Sequence, residues 1–251
     1  MIFLSNINDK IINEYVNLVS DNLFAVRVKG LLKAYGNYPH LCDVWYQHNE
    51  KKITAYIVRY GGDFIADIYN DADIREIVDL CKMAGGTKLL CKKLSLKSET
   101  GVIMKLSSIL IQNNSDYSFS EDVNLQEYYG ILKANQSSTF TVPNFEDFYV
   151  DLNHRLRKQA AKIIGCYQGG ILVSCCVATA VCGASAVLAG VATLPNFRNK
   201  GYGTAIVVQM CKNLLSHDVQ DIYLQRDKNE NYNFYHAIGF KDIGEFCQIN
   251  L

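Results

Sequence analysis

From Ile163 to Phe197 the chain carries no charged residue at all. A stretch that long without charge is buried, either in a bilayer or in a protein core. Its composition favours the core. Gly169, Gly170, Gly183 and Gly190 interrupt it, Gln168, Ser174 and Ser185 are polar, and Ile171, Val173, Val177, Thr179 and Val181 supply β-branched side chains that suit a pleated sheet. Basic residues flank both ends, Arg155, Arg157, Lys158 and Lys162 before it and Arg198 and Lys200 after it, so neither a positive-inside asymmetry nor an aromatic belt marks a membrane span. The segment reads as successive strands.

The chain as a whole is consistent with a folded core, since 49% of its 251 residues are apolar and 20% charged. The 25 basic and 25 acidic residues balance, so no global field holds nucleic acid or an anionic membrane, and any phosphate site must be local. The nine cysteines, Cys42, Cys81, Cys91, Cys166, Cys175, Cys176, Cys182, Cys211 and Cys247, show no C-x-x-C spacing and read as small buried hydrophobes. With no basic region followed by an apolar one at the N-terminus, they imply a reduced, cytoplasmic protein.

Periodicity divides the chain into two halves of similar order. Asn8 caps a helix carrying Ile11, Ile12, Tyr15, Leu18 and Val19, and Asp21 or Asn22 begins a second with Phe24, Val28, Leu31 and Leu32. Strands follow at Cys42 to Gln47, Ile53 to Tyr60 and Phe64 to Tyr69, then a helix from Asp71 to Ala84 and a strand from Thr87 to Cys91. The polar stretch Gln112 to Asp122 marks a boundary, giving domains 1–120 and 121–251. Beyond it lie helices at Leu125 to Ala134 and Phe145 to Ala160, with a polar loop Asn135 to Val142 between them. Strands at Lys162 to Tyr167, Ile171 to Val181 and Ala186 to Thr193, a helix from Gly203 to Leu215 and a strand from Asp221 to Gln225 complete the repeat. The fold class is α/β, a mixed sheet with helices, in two copies.

The junction Val191 to Thr204 carries the chemistry. A buried strand ends at Pro195, and a loop rich in glycine and basic residues opens directly into an amphipathic helix. Such a junction aims free backbone N–H groups and a positive helix terminus at one spot, as a pyrophosphate requires. Gly201 and Gly203 permit close approach, and Arg198 and Lys200 add local positive charge. Two glycines before a helix can equally be a simple turn. A Rossmann fingerprint lacks its third glycine here, and no Gly-Lys-Ser or Gly-Lys-Thr forms a Walker loop.

The spacing of Arg198, Gly201 and Gly203 behind a strand resembles the acyl-CoA loop of the GNAT superfamily of N-acetyltransferases, whose form is Gln or Arg, two residues, Gly, any residue, then Gly or Ala. Downstream, Asn229, Asn231, Phe234-Tyr235 and Gly239-Phe240 resemble the family's second signature, and the likeness spans Lys162 to Phe246. In the family the asparagine stands a little farther ahead of the tyrosine, where this chain has Lys228. The resemblance implies a GNAT-like acyl-CoA N-acyltransferase fold with acetyl-CoA as cosubstrate. The cofactor would lie on Val191, Thr193, Arg198, Asn199, Lys200, Gly201, Tyr202, Gly203, Thr204 and Asn229, with a strand bulge near Gly190 to Thr193 splaying two parallel strands. It also implies that Tyr235 is the catalytic acid that protonates the departing thiolate, against the plainer reading of Tyr235 as one of 16 tyrosines packed beside Phe234 and Phe240.

No carboxylate lies on the strand Ala186 to Val191, where many family members carry a base. Asp227, Glu230, Glu146 and the C-terminal carboxylate of Leu251 read as solvated groups, so no base is assigned. His154, His217 and His236 lack metal or triad spacing, and no metal is expected. In the first half the matching loop is Asn70-Asp71-Ala72-Asp73, whose two aspartates repel phosphates. The first half is therefore expected to be a degenerate copy that supports the second and lines its acceptor pocket. The expected activity is transfer of an acetyl group to a primary amine, of a small molecule or a protein, by direct attack in a ternary complex. The alternatives are a non-catalytic CoA or acyl-CoA sensor and a tandem-GNAT aminoacyl transferase. Nucleic acid and membrane are not expected partners.

Overall fold

The computed structural model describes residues 1–18, 22–95, 98–111, 117–137, 140–228 and 231–251. In chain order the first elements are β1 (Ile2–Ser5), α1 (Lys10–Asn17), α2 (Leu23–Tyr35), β2 (Cys42–His48), β3 (Ile53–Tyr60), β4 (Asp63–Ile68), α3 (Ile74–Met83), β5 (Lys88–Lys92) and β6 (Glu99–Leu106). Then come β7 (Ser118–Ser120), α4 (Leu125–Ala134), α5 (Phe145–Arg157), β8 (Lys162–Gln168), β9 (Ile171–Cys182), β10 (Ser185–Thr193), α6 (Tyr202–Leu215), β11 (Asp221–Asp227), α7 (Tyr232–Ile238) and β12 (Phe240–Asn250). They form two compact units, one of Met1–Met104, Gln225–Glu230 and Asp242–Leu251, the other of Lys105–Leu224 and Asn231–Lys241.

In the first unit the N-caps fix where the helices begin. Asp9, not Asn8, caps α1 by accepting the N–H of Ile11 at 2.9 Å. Asn22 caps α2 through the N–H groups of Phe24 and Ala25. β2, β3 and β4 form the expected antiparallel meander, and β4 runs parallel to β5 only from Asp63 to Ile65. The sheet order is β1-β2-β3-β4-β5-β12-β6.

The strand β12 is antiparallel to β5 with Cys247 opposite Cys91. Cys247 and Ile249 alternate into a core that includes Trp45, Phe64, Ile77 and Leu89. The sequence reading cut the chain at 120 and left this strand with the second half. The period-two burial of Cys247 and Ile249 is what assigns it to the first unit instead. The strands β1, β6, β7 and β12 were not expected from the sequence.

In the second unit the strand order is β11-β10-β9-β8-β7. Cys175 and Val177 of β9 pack with Tyr128, Ile131 and Leu132 of α4 and Leu152 of α5. The intervening Cys176 lies by Cys211 of α6. The alternation puts α4 and α5 on one face of the sheet and α6 on the other. That sandwich explains the charge-free stretch, because both faces of β9 and β10 are covered and neither can carry a solvated charge. None of the nine cysteines is in a disulfide, and all but Cys182 are buried. No helix among the described residues is long and apolar enough to cross a membrane.

Candidate active site

The site begins with a break in the ladder. β10 and β9 shift register once between Val187 and Leu188, and again after Ala189 opposite Val177; pairing resumes at Ala192 opposite Cys175, so Gly190 and Val191 together face only Cys176. This is a β-bulge whose first residue, Gly190, has φ +59°. Only glycine fits there, because an added Cβ would lie 2.1 Å from the Tyr128 hydroxyl oxygen. On its other edge β10 runs parallel to β11 from Ser185 with Asp221 to Leu188 with Leu224, and there the pairing ends. The segment Ala189 to Thr193 therefore presents a strand edge that β11 no longer covers.

Side chains secure the end of this strand. Ser174 Oγ donates to the Ala192 carbonyl at 3.0 Å and lies 2.8 Å from Thr193 Oγ1. Asn135 Nδ2 donates to the Thr193 carbonyl at 3.1 Å. The chain then makes a short 3-10 turn, Pro195–Phe197, passes Asn199 at φ +60° and Gly201 at φ +85°, and enters α6.

The α6 terminus is left uncapped. Gly201 is its N-cap and has no side chain to bond the first-turn amides, so among the described residues no side chain caps the positive helix end. The first unit provides a contrast within the same chain. There Asp73 caps α3 and accepts the N–H groups of Arg75 and Glu76 at 3.0 and 3.1 Å. The preceding strand β4 pairs with β3 without a register shift, so that junction combines a side-chain cap with an unbulged strand.

The remaining expected residues divide by what they can offer. Arg198 and Lys200 are exposed, but each already holds a partner. The Arg198 guanidinium donates to Asn135 Oδ1 at 2.6 Å, and Lys200 Nζ donates to the Asn196 carbonyl at 3.0 Å. The Tyr202 ring is buried, with its hydroxyl bonded to Gln168 Oε1, so Tyr202 offers a ligand its backbone amide only. A Cβ on Gly203 would meet Thr193 Oγ1 at 3.5 Å and the Phe234 ring at 3.7 Å, which places α7 beside the start of α6. Asn229 lies outside the described residues, as does Glu230.

Tyr235 sits on α7 with its ring edge-on to Phe234 and Phe240. Burial, with a smaller effect from nearby Cys176, pushes its phenol well above the ordinary tyrosine range, so it holds its proton. Among the described residues no hydrogen-bond partner of its hydroxyl is found. Cys176 is the residue spanned by the bulge, so a proton donor stands on the α6 face of the sheet where the open strand edge begins. Among the described residues no cluster of His, Cys, Asp and Glu can hold a metal ion. The sequence reading missed Tyr128, Ser174 and Asn135 because each is an ordinary helix or strand residue whose partner is a distant backbone carbonyl.

A mixed sheet with a bulged strand feeding an uncapped helix is the arrangement that the resemblance of the sequence motif leads one to expect. Residues 125–240 match the family described as Acetyltransferase (GNAT) family. No curated protein matches the chain in sequence. Among solved structures, a tandem GNAT protein from the clavulanic acid biosynthesis pathway is 11% identical with a TM-score of 0.61, covering 100% of this chain and 98% of its own. A GNAT-family acetyltransferase from Colwellia psychrerythraea is 11% identical with a TM-score of 0.59, covering 100% and 99%. A Drosophila protein is 9% identical with a TM-score of 0.69, covering 99% and 98%. At these identities the likeness is one of fold, and it extends over the whole chain.

Proposed function

We propose that the protein is an acetyl-CoA-dependent N-acetyltransferase whose second unit holds the cofactor and transfers its acetyl group directly to a primary amine. The observation that carries this reading is the pairing of an open β10 edge with an uncapped α6 terminus, the two joined by one loop. The amides of Gly201 to Thr204 and the side chains of Arg198 and Lys200 suit a pyrophosphate. Val191 and Thr193 offer a strand edge to the amide-bearing arm that follows it.

Acetyl-CoA supplies the activated thioester. As the amine nitrogen bonds to the carbonyl carbon and the C–S bond breaks, Tyr235, kept protonated by burial, donates its proton to the departing thiolate sulfur, while the proton shed by the amine passes to water, from which the phenol is reprotonated. Holding amine and thioester together supplies rate without a dedicated base, in keeping with the lack of an acid on β10. The first unit, with its helix already capped by Asp73 and its strand regular, is a degenerate copy that takes no CoA.

The test is calorimetric titration with acetyl-CoA and dephospho-CoA, followed by an amine panel for acetylation. Wild type should bind saturably and Gly203→Asp, which brings a carboxylate to the phosphates, should not. Gly203→Ala should retain binding, since its Cβ meets only ordinary contacts. Equal affinity of wild type and Gly203→Asp removes the loop from this account. The missing acid on β10 favours a second reading, a CoA sensor without turnover. Saturable binding with no acetylation across the panel selects it.

A further inference from the structure

Helix α4 touches the bulged segment of β10 at both ends. Tyr128, fully buried, donates its hydroxyl to the Gly190 carbonyl at 2.7 Å, and Asn135, just beyond the helix, donates Nδ2 to the Thr193 carbonyl at 3.1 Å. The two residues are seven apart, two helical turns on one face and about 10.5 Å along the axis. Their acceptors are three residues apart on a strand, about 10 Å. The spacings match, so one helix can satisfy both carbonyls at once. The Gly190 carbonyl lies in the bulge, outside the regular register with β9, and without Tyr128 this half-buried group would lose the hydrogen bond that the hydroxyl supplies. Asn135 is fully used, with Nδ2 also on the Ile131 carbonyl at 2.7 Å and Oδ1 holding Arg198.

We propose that α4 is the template that holds β10 open, with Tyr128 and Asn135 as positioning residues for the cofactor. This rests on the acetyl-CoA reading of the β10 edge. Their roles are separable. Tyr128 fixes only the bulge, which the pantetheine arm would meet. Asn135 fixes both the strand end and Arg198, and so acts on the pyrophosphate as well. A residue of merely structural importance would weaken every ligand equally, whereas this arrangement makes Tyr128 selective.

The experiment compares acetyl-CoA with adenosine 3′-phosphate 5′-diphosphate, which carries the pyrophosphate and lacks the pantetheine arm, on wild type, Tyr128→Phe and Asn135→Ala. Amide hydrogen exchange over Gly190 to Thr193 is followed in the ligand-free proteins. Tyr128→Phe should weaken acetyl-CoA about tenfold and leave the nucleotide unchanged, the loss expected for one missing hydrogen bond. Asn135→Ala should weaken both ligands, and both variants should speed exchange in the segment. Equal weakening of both ligands by Tyr128→Phe, or unchanged exchange in that variant, overturns the proposal. A wild type that binds neither ligand overturns the acetyl-CoA reading instead. The exchange result then decides whether α4 holds β10.

Discussion

Tyr235 and Tyr128 lie on opposite faces of one sheet, and burial treats their phenols alike. Both are pushed far above the ordinary range by desolvation, so both are donors throughout physiological pH. Their partners separate them. Tyr128 is committed to a carbonyl, while no partner of the Tyr235 hydroxyl is found among the described residues, and only a donor with nothing to hold can give its proton to a reaction. Tyr235→Phe keeps the ring contacts with Phe234 and Phe240 and loses the proton. It should leave the Kd for acetyl-CoA unchanged and lower kcat about 100-fold, as measured by steady-state kinetics. A raised acid pKa also fixes the pH behaviour. The phenol stays protonated as pH rises through the ordinary range near 10, so Tyr235 itself adds no falling limb to kcat below that pH. An unchanged kcat would return Tyr235 to packing. The spacing of Phe234, Tyr235, Gly239 and Phe240 singles the tyrosine out in the sequence, but the absence of a hydroxyl partner among the described residues was not legible there, because hydrogen bonds to distant backbone leave no periodic trace in a sequence.

At the scale of elements, the two strand-to-helix junctions of this chain are alternative solutions to one problem, the orphan amides of a helix start. At α3 the chain closes the problem locally with Asp73, and at α6 it leaves the amides without a side-chain cap behind Gly201. Asp73→Ala should therefore cost about 1 kcal/mol of stability in denaturant unfolding and leave acetyl-CoA affinity unchanged. A shift in that affinity would mean that the first unit takes part in cofactor binding. This difference was largely readable, since aspartate against glycine at the two junctions is a matter of residue type. The bulge in β10 was readable only as an implication of the family resemblance. Gly190 announces a break in a strand but not its partner, and the Tyr128 hydroxyl that requires glycine there comes from a helix 62 residues earlier. The start of α1 was misread by one residue, because Asn8 and Asp9 are both good caps and only the backbone decides which oxygen reaches Ile11.

At the scale of the molecule, the repeated order of helices and central strands was legible, whereas β1, β6, β7 and β12, and the ownership of the last of them, were not. Helix, helix, meander, helix and strand recur in both halves, and the sequence shows that repeat through its hydrophobic periods. Chain continuity gives no hint that β12 leaves the unit it follows to pair with β5. A weak alternation at Cys247 and Ile249 was the only signal, and no partner for it could be named from sequence. The pairing has an energetic consequence. Without β12, the Leu89 and Cys91 side of the first core is uncovered and β5 becomes an open edge. Losing the burial of Ile249 alone forfeits about 1.5–3 kcal/mol, a large part of what a domain of this size holds in reserve. A chain of residues 1–120 should therefore unfold without a cooperative transition by circular dichroism. A version with residues 242–251 joined behind residue 104 by a flexible Gly/Ser linker should regain one. Cooperative unfolding of 1–120 by itself would show that β12 is dispensable to the first unit, and that the sequence boundary at 120 is the energetic one.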